Sequence, residues 1–249
     1  AVGKFSREQV LRMISETNGL FAVTQRDGFG FTAYGPKGVA YGRYLNPESY
    51  CGFGVKIPPF INAIQIEAGE IPQVVTALVI HGRTSTNKVV IENCHPFHSK
   101  GIHLAHNGVL RWVGDGPGPK AKNGCDTEEF FQWWLHRKTI SKWAATNKHW
   151  SGYGVFGVID SGAKRLTVAK CGSGNLYWSC DDKDNHLFST SGHDVAHVAR
   201  AAGISLVTKS VSVMPKTVTE FAIGGPRGVL LSNERWCGFA DSVRDSAWD

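Results

Sequence analysis

Residues suited to chemistry crowd between His81 and Asp126. Arg83, within His81-Gly82-Arg83-Thr84-Ser85-Thr86, follows directly on the apolar run Val74 to Ile80, which puts a guanidinium at the end of an expected buried strand. A planar fork of N–H donors at that place suits a ligand carboxylate, and it suits loop carbonyls equally well. Glu92-Asn93-Cys94-His95-Pro96-Phe97-His98 and Ile102-His103-Leu104-Ala105-His106-Asn107-Gly108 then bring four histidines into twelve residues, with Cys94 beside them. Imidazole and thiolate are good zinc ligands. However, no pair has the helical i,i+4 spacing, Pro96 breaks any helix, and no carboxylate is suitably interleaved, so no metal is expected. The plainer reading is strand and turn histidines, hydrogen-bonded in a half-buried site. Asn107-Gly108 is open to two readings: a tight hairpin turn, or an oxyanion hole made from a side-chain amide and a backbone N–H.

These side chains need a scaffold, and composition bounds what it can be. The chain has 249 residues, 42% hydrophobic and 19% charged, with 29 Gly and 10 Pro, which fits a globular domain and excludes a coiled coil, a collagen-like repeat or a disordered tail. No apolar run approaches the roughly 18 to 20 residues of a membrane span. Ala1 to Arg12 carry charges early and lack the apolar core of a signal peptide, although the sequence begins with Ala and not Met. Six cysteines without a CxxC spacing read as reduced thiols, which points to a cytoplasmic protein. The net charge of +6 is spread along the chain, and no nucleic-acid-binding pattern accompanies it, so a nucleic-acid partner is not expected.

Periodicity places the elements. Ser6 caps a first helix, with Gln9 three residues on and Val10, Leu11 and Ile14 on one face, ending at Asn18-Gly19. Strand-like runs follow at Phe29 to Tyr34, Gly38 to Tyr44, Val74 to His81, Val89 to Glu92, Ile102 to His106 and Val109 to Val113. Gly114 to Gly124 is too rich in Gly and Pro for regular structure and reads as a surface connection or a lid. Asp126 to Arg137 is an expected helix with an aromatic face. Strands return at Gly154 to Ile159, Leu166 to Cys171, Leu176 to Ser179 and His186 to Thr190. A helix at His193 to Ala202 precedes strands at Ile204 to Met214 and Thr217 to Ala222. Few helices among many strands indicate an α+β domain of antiparallel sheets with helices on the outer faces, and residues 1–249 read as one domain.

Taken in order, five segments resemble the class II glutamine amidotransferases of the N-terminal-nucleophile hydrolases. They are Arg26-Asp27-Gly28-Phe29-Gly30-Phe31, His81 to Thr86, Asn93-Cys94-His95-Pro96-Phe97, Ala105-His106-Asn107-Gly108 and Cys125-Asp126-Thr127-Glu128. The likeness covers roughly residues 20–195 and is closest to compact members acting on γ-glutamyl substrates. It implies an αββα sandwich and a pocket without a cofactor. In that pocket Arg83, assisted by Thr86, binds the substrate α-carboxylate, and Asp126 receives the α-ammonium. Asn107 and Gly108 stabilise the oxyanion, while Asp27, Gly28, His95 and His106 support the site. The family attacks with an N-terminal cysteine whose own amine is the base. Residue one here is Ala1, with only Ala1-Val2-Gly3 ahead of the expected helix and no room for the family's first strand. A Cys-bearing segment upstream, a Cys replaced by Ala1, and a non-catalytic descendant with a role in a larger assembly are the alternatives. Cys51-Gly52-Phe53 looks like the family's Cys-Gly start, but chain order argues against it, and Cys94 reads as a packing residue. An active protein would release ammonia or an amine, either outright or for an accepting synthetase.

Overall fold

Ser6 and Gln9 lock the entry to the first helix. The Ser6 N–H donates to Gln9 Oε1 at 3.0 Å and the Gln9 N–H to Ser6 Oγ at 3.2 Å, the reciprocal capping box expected from the sequence. In the computed structural model, which describes residues 1–24, 27–45, 66–84, 88–136 and 149–235, helix α1 spans Arg7–Thr24. It runs past the expected stop at Asn18-Gly19, and Phe21 in the added turn packs on Phe29 with ring centroids 6.4 Å apart. A strand, β1 (Val2–Ser6), precedes it. This corrects the expectation that Ala1-Val2-Gly3 leaves no room for a first strand: Val2 and Phe5 are buried, Lys4 and Ser6 exposed, and the run pairs with Val74 to Ala77.

Among the described residues the strands form two sheets, and every pairing is antiparallel. The first holds β1, β2 (Gly28–Gly35), β3 (Gly38–Tyr44), β4 (Val74–Arg83), β9 (Tyr177–Cys180), β10 (His186–Ser189) and β11 (Val211–Ser212) in the order β11-β9-β10-β1-β4-β2-β3. The second holds β5 (Phe97–Ser99), β6 (Ile102–Trp112), β7 (Trp150–Asp160), β8 (Arg165–Cys171), β12 (Thr217–Ala222) and β13 (Val229–Arg235) in the order β13-β12-β8-β7-β6-β5. Val2, Ala77, Ile159, Leu166 and Phe221 meet between the sheets. Helix α1 and helix α3 (Gly192–Ala201), capped by Ser191, cover the outer face of the first sheet through Val10, Ile14, Val195 and Ala199. Helix α2 (Asp126–His136) covers the second, setting Phe130, Phe131, Trp133 and Trp134 against Leu104, Trp150 and Phe156. The result is the expected α+β fold, an Ntn-hydrolase-like αββα sandwich.

Three local expectations are overturned. Val89 to Glu92 is not a strand: Ile91–Asn93 form a 3-10 turn, with Asn93 N–H bonded to Val90 O and Cys94 N–H to Ile91 O. Ile102 to His106 and Val109 to Val113 are one strand, β6, because β7 pairs along it without a break from Ile102↔Asp160 to Trp112↔Trp150. That pairing removes the hairpin reading of Asn107-Gly108. The expected strand Ile204 to Met214 pairs only at Val211–Ser212 and at an isolated bridge from Leu206. Between them, Thr208 uses its carbonyl and hydroxyl oxygens to accept from Ser179 Oγ and from the Cys180 N–H, respectively. No described helix is long and apolar enough to cross a membrane.

Candidate functional site

Arg83 is the last residue of β4 and only 7% exposed. Its Nη2 donates to the Lys88 carbonyl at 3.1 Å, and its own carbonyl accepts the Asp27 N–H at 3.0 Å. Gly28 lies opposite Arg83 in the β2–β4 register. A Cβ at Gly28 would collide with Cys94 Sγ and one at Gly30 with the His95 carbonyl, so the Asp-Gly-Phe-Gly segment lets the Cys94-His95 turn lie directly on the strand. Asp27 and Gly28 therefore brace Arg83 and the turn and do not line the pocket.

The histidines form a chain of hydrogen bonds. The His106 N–H donates to His95 Nδ1 at 3.4 Å, and the same Nδ1 lies 3.1 Å from His81 Nε2. A nitrogen accepting a backbone N–H carries no proton of its own, so His81 presents Nε2–H to it. His106 reaches the Tyr153 carbonyl through Nε2 at 3.4 Å, leaving Nδ1 to face the Thr127 hydroxyl at 3.0 Å, and its ring stacks on Phe156. Burial pushes His106 down to about 4 and His81 down to about 3, the latter helped by His106 and Arg83, and it holds His95 well below its ordinary value. Three neutral imidazoles result at neutral pH, suited to scaffolding rather than to proton transfer. Among the described residues no three His, Cys, Asp or Glu side chains converge as metal ligands.

Asp126 opens α2. Its Oδ1 accepts the Thr127 N–H and its Oδ2 the Leu110 N–H, both at 2.7 Å, which ties the helix to β6. Burial raises its pKa while these donors pull it down. The Thr127 hydroxyl also donates to Oδ1 at 3.2 Å, so of the roughly four acceptor positions of an ionised carboxylate about one is left for a ligand cation. Asn107 is exposed and its Nδ2 donates to Thr190 Oγ1 at 3.3 Å. Gly108 adopts φ 154°, and a Cβ there would collide with the Tyr153 carbonyl of β7.

One polar pocket of about 140 Å³ is walled by Arg83, Asn107, Gly108 and Asp126, with His95 and His106 also in its wall. Thr86 lies outside the described residues. Sequence reasoning assigned no role to His81, Gly82, Cys125 and Thr127, which line it too. Their adjacency to Arg83 and Asp126 was the available signal. Cys125 carries a thiol in the wall, but burial pushes it up, and burial pushes Cys94 up to about 11, so neither is a ready thiolate. The four described cysteines, Cys94, Cys125, Cys171 and Cys180, are free thiols.

A second cavity, of about 180 Å³, adjoins the first and shares His81, Gly82, His106 and Asn107 with it. Ala1 is in its wall, just ahead of β1, with its nitrogen 2.6 Å from the Leu78 carbonyl and its own carbonyl accepting the Leu78 N–H at 2.8 Å.

The sandwich has the glutamine amidotransferase-type fold. One solved structure sharing it is an allosteric regulatory enzyme of purine biosynthesis, with a TM-score of 0.62 and 14% identity over 94% of this chain and 48% of that one. Another is glutamine phosphoribosylpyrophosphate amidotransferase from B. subtilis in complex with ADP and GMP, with a TM-score of 0.53 and 14% identity over the same shares, 94% and 48%. The chain thus spans about half the length of each, 48%. No protein-family model and no curated protein matches the sequence.

Proposed function

We propose that the polar pocket binds a γ-glutamyl amide and that the protein is a class II-type amidohydrolase, freeing ammonia or an amine from glutamine or a related compound. The observation that carries this reading is the convergence of Arg83, Asn107, Gly108 and Asp126, drawn from three separate elements, on a single pocket. Arg83 takes the α-carboxylate and Asp126 the α-ammonium, so the two ends of the amino acid fix its direction. The side-chain amide then reaches Asn107 and Gly108. In the class II reaction the thiol of an N-terminal cysteine, which none of the described residues supplies, adds to the amide carbon and passes its proton to that cysteine's own α-amine; the carbonyl oxygen takes up the negative charge, and the two donors hold it. One such donor contributes on the order of 3 kcal/mol in hydrolases. Collapse expels the amine, which takes up the proton held by that α-amine, and water releases glutamate from the thioester. An accepting synthetase or a larger assembly is the natural destination of ammonia, and a cytoplasmic setting suits reduced thiols.

A second reading, binding without turnover, is favoured by the thiols nearest the pocket: burial pushes both Cys94 and Cys125 up, so neither is a ready thiolate. Glutamate release from glutamine, assayed on the full-length native protein together with labelling by an electrophilic glutamine analogue, separates the two. Release with labelling of a thiol supports the hydrolase. Saturable glutamine binding without release, lost in Arg83→Ala, supports the binding protein. No release and no binding would overturn both.

A further inference from the structure

The apolar cavity beside the polar pocket is far larger than ammonia needs. Its volume of about 180 Å³ exceeds the roughly 150 Å³ of an engineered apolar cavity that accommodates benzene, whereas a water-sized leaving group occupies about 30 Å³. Leu78, Val155, Val168, Leu176 and Val198 contribute to its wall, with polar groups at Thr17, Thr190 and Asp194. The two spaces have His81, Gly82, His106 and Asn107 as common wall residues. Asn107, the expected oxyanion donor, thus stands in the wall between them, and its Nδ2 donates to Thr190 Oγ1 of the apolar side at 3.3 Å. A γ-glutamyl group anchored by Arg83 and Asp126, with its amide carbonyl at Asn107, has its amide nitrogen at that shared wall, and a substituent on the nitrogen continues into the apolar space.

We infer that the ligand is an N-substituted γ-glutamyl amide whose amine portion is apolar and about the size of an aromatic ring, with the cavity as its subsite. This inference rests on the γ-glutamyl reading above and narrows it to a substrate class. Burying a ring-sized apolar group contributes roughly ten- to a hundredfold in affinity, which bare glutamine forgoes.

Calorimetric titration of the intact protein with L-glutamine and with γ-L-glutamylanilide tests it. The expected result is at least about tenfold tighter binding of the anilide. Thr17→Trp, at a half-buried position on α1 that lines the cavity, should abolish that preference while leaving glutamine binding in place, with Val198→Phe as a second filling variant. A thermal melt confirms that each variant is folded. Equal affinity for the two compounds would overturn the subsite and leave the γ-glutamyl pocket standing. Anilide binding that Arg83→Ala does not weaken would also overturn it, since the two spaces would not then be acting on one ligand. Binding of neither compound would overturn the pocket and the subsite together.

Discussion

Gly108 has space for a hydrogen atom and little more. Its φ of 154° and the Tyr153 carbonyl against it mean that Gly108→Ala strains the backbone and forces β6 from β7, so a loss on the order of 2 kcal/mol or more is expected in chemical denaturation. Arg83 is tested more gently, because its loss removes a charge-assisted fork. Arg83→Ala should weaken glutamine binding by roughly ten- to a hundredfold, and Arg83→Lys should recover only part of it, since a point charge cannot make the paired contact. Asp126→Asn should lower both affinity and stability, because Oδ1 and Oδ2 each accept a backbone N–H and an amide has only one oxygen to offer. At this scale much of the candidate site was legible in the sequence, since Arg83, Asn107-Gly108 and Asp126 sit in short contiguous motifs. His81 was not, because its partner His95 is 14 residues away and only the fold brings the rings together.

Elements were legible where one local signal dominated. The bounds of β3 and β12 agree with the alternation that predicts them, and Asp126 marks the start of α2. They were illegible where pairing or packing overruled the local signal. Asn18-Gly19 reads as a helix end, yet Phe21 has an aromatic partner in Phe29 that the helix must continue to reach. Asn107-Gly108 is open to a local turn reading, which would break the strand, yet β7 supplies a partner for each residue of β6. Strand β1 was hidden because the Ser6 cap that follows it is the stronger motif. The cap predicts its own outcome: Ser6→Ala should cost about 1 kcal/mol in the urea midpoint, as loss of an N-cap does. Phe130→Ala should cost more, roughly 3 to 5 kcal/mol, because the ring is fully buried among Trp150, Phe156 and its own helix neighbours.

For the whole molecule, the sandwich holds several neutral imidazoles, His81, His95, His103 and His106. Burial lowers His81 to about 3 and His103 and His106 to about 4, and holds His95 below its ordinary value. The unfolded chain takes up these protons near pH 6.5 and the folded one only near 3 to 4, so the unfolded state binds more protons throughout that window. Stability present above pH 6.5 is therefore lost as the pH falls toward 4, with His106 alone contributing on the order of 3 kcal/mol. Urea midpoints at pH 7.5 and pH 5 should show the decline, and a flat profile would contradict the buried-histidine account. The same burial that keeps these rings uncharged leaves Arg83 and Asp126 as the opposed charges of the polar pocket, which is why the γ-glutamyl reading depends on them. Calorimetric titration of the native protein with L-glutamine, repeated on Arg83→Ala, tests that reading most directly. Saturable one-to-one binding that the substitution weakens at least about tenfold is the predicted result, and an absence of binding, or binding indifferent to Arg83, would contradict it.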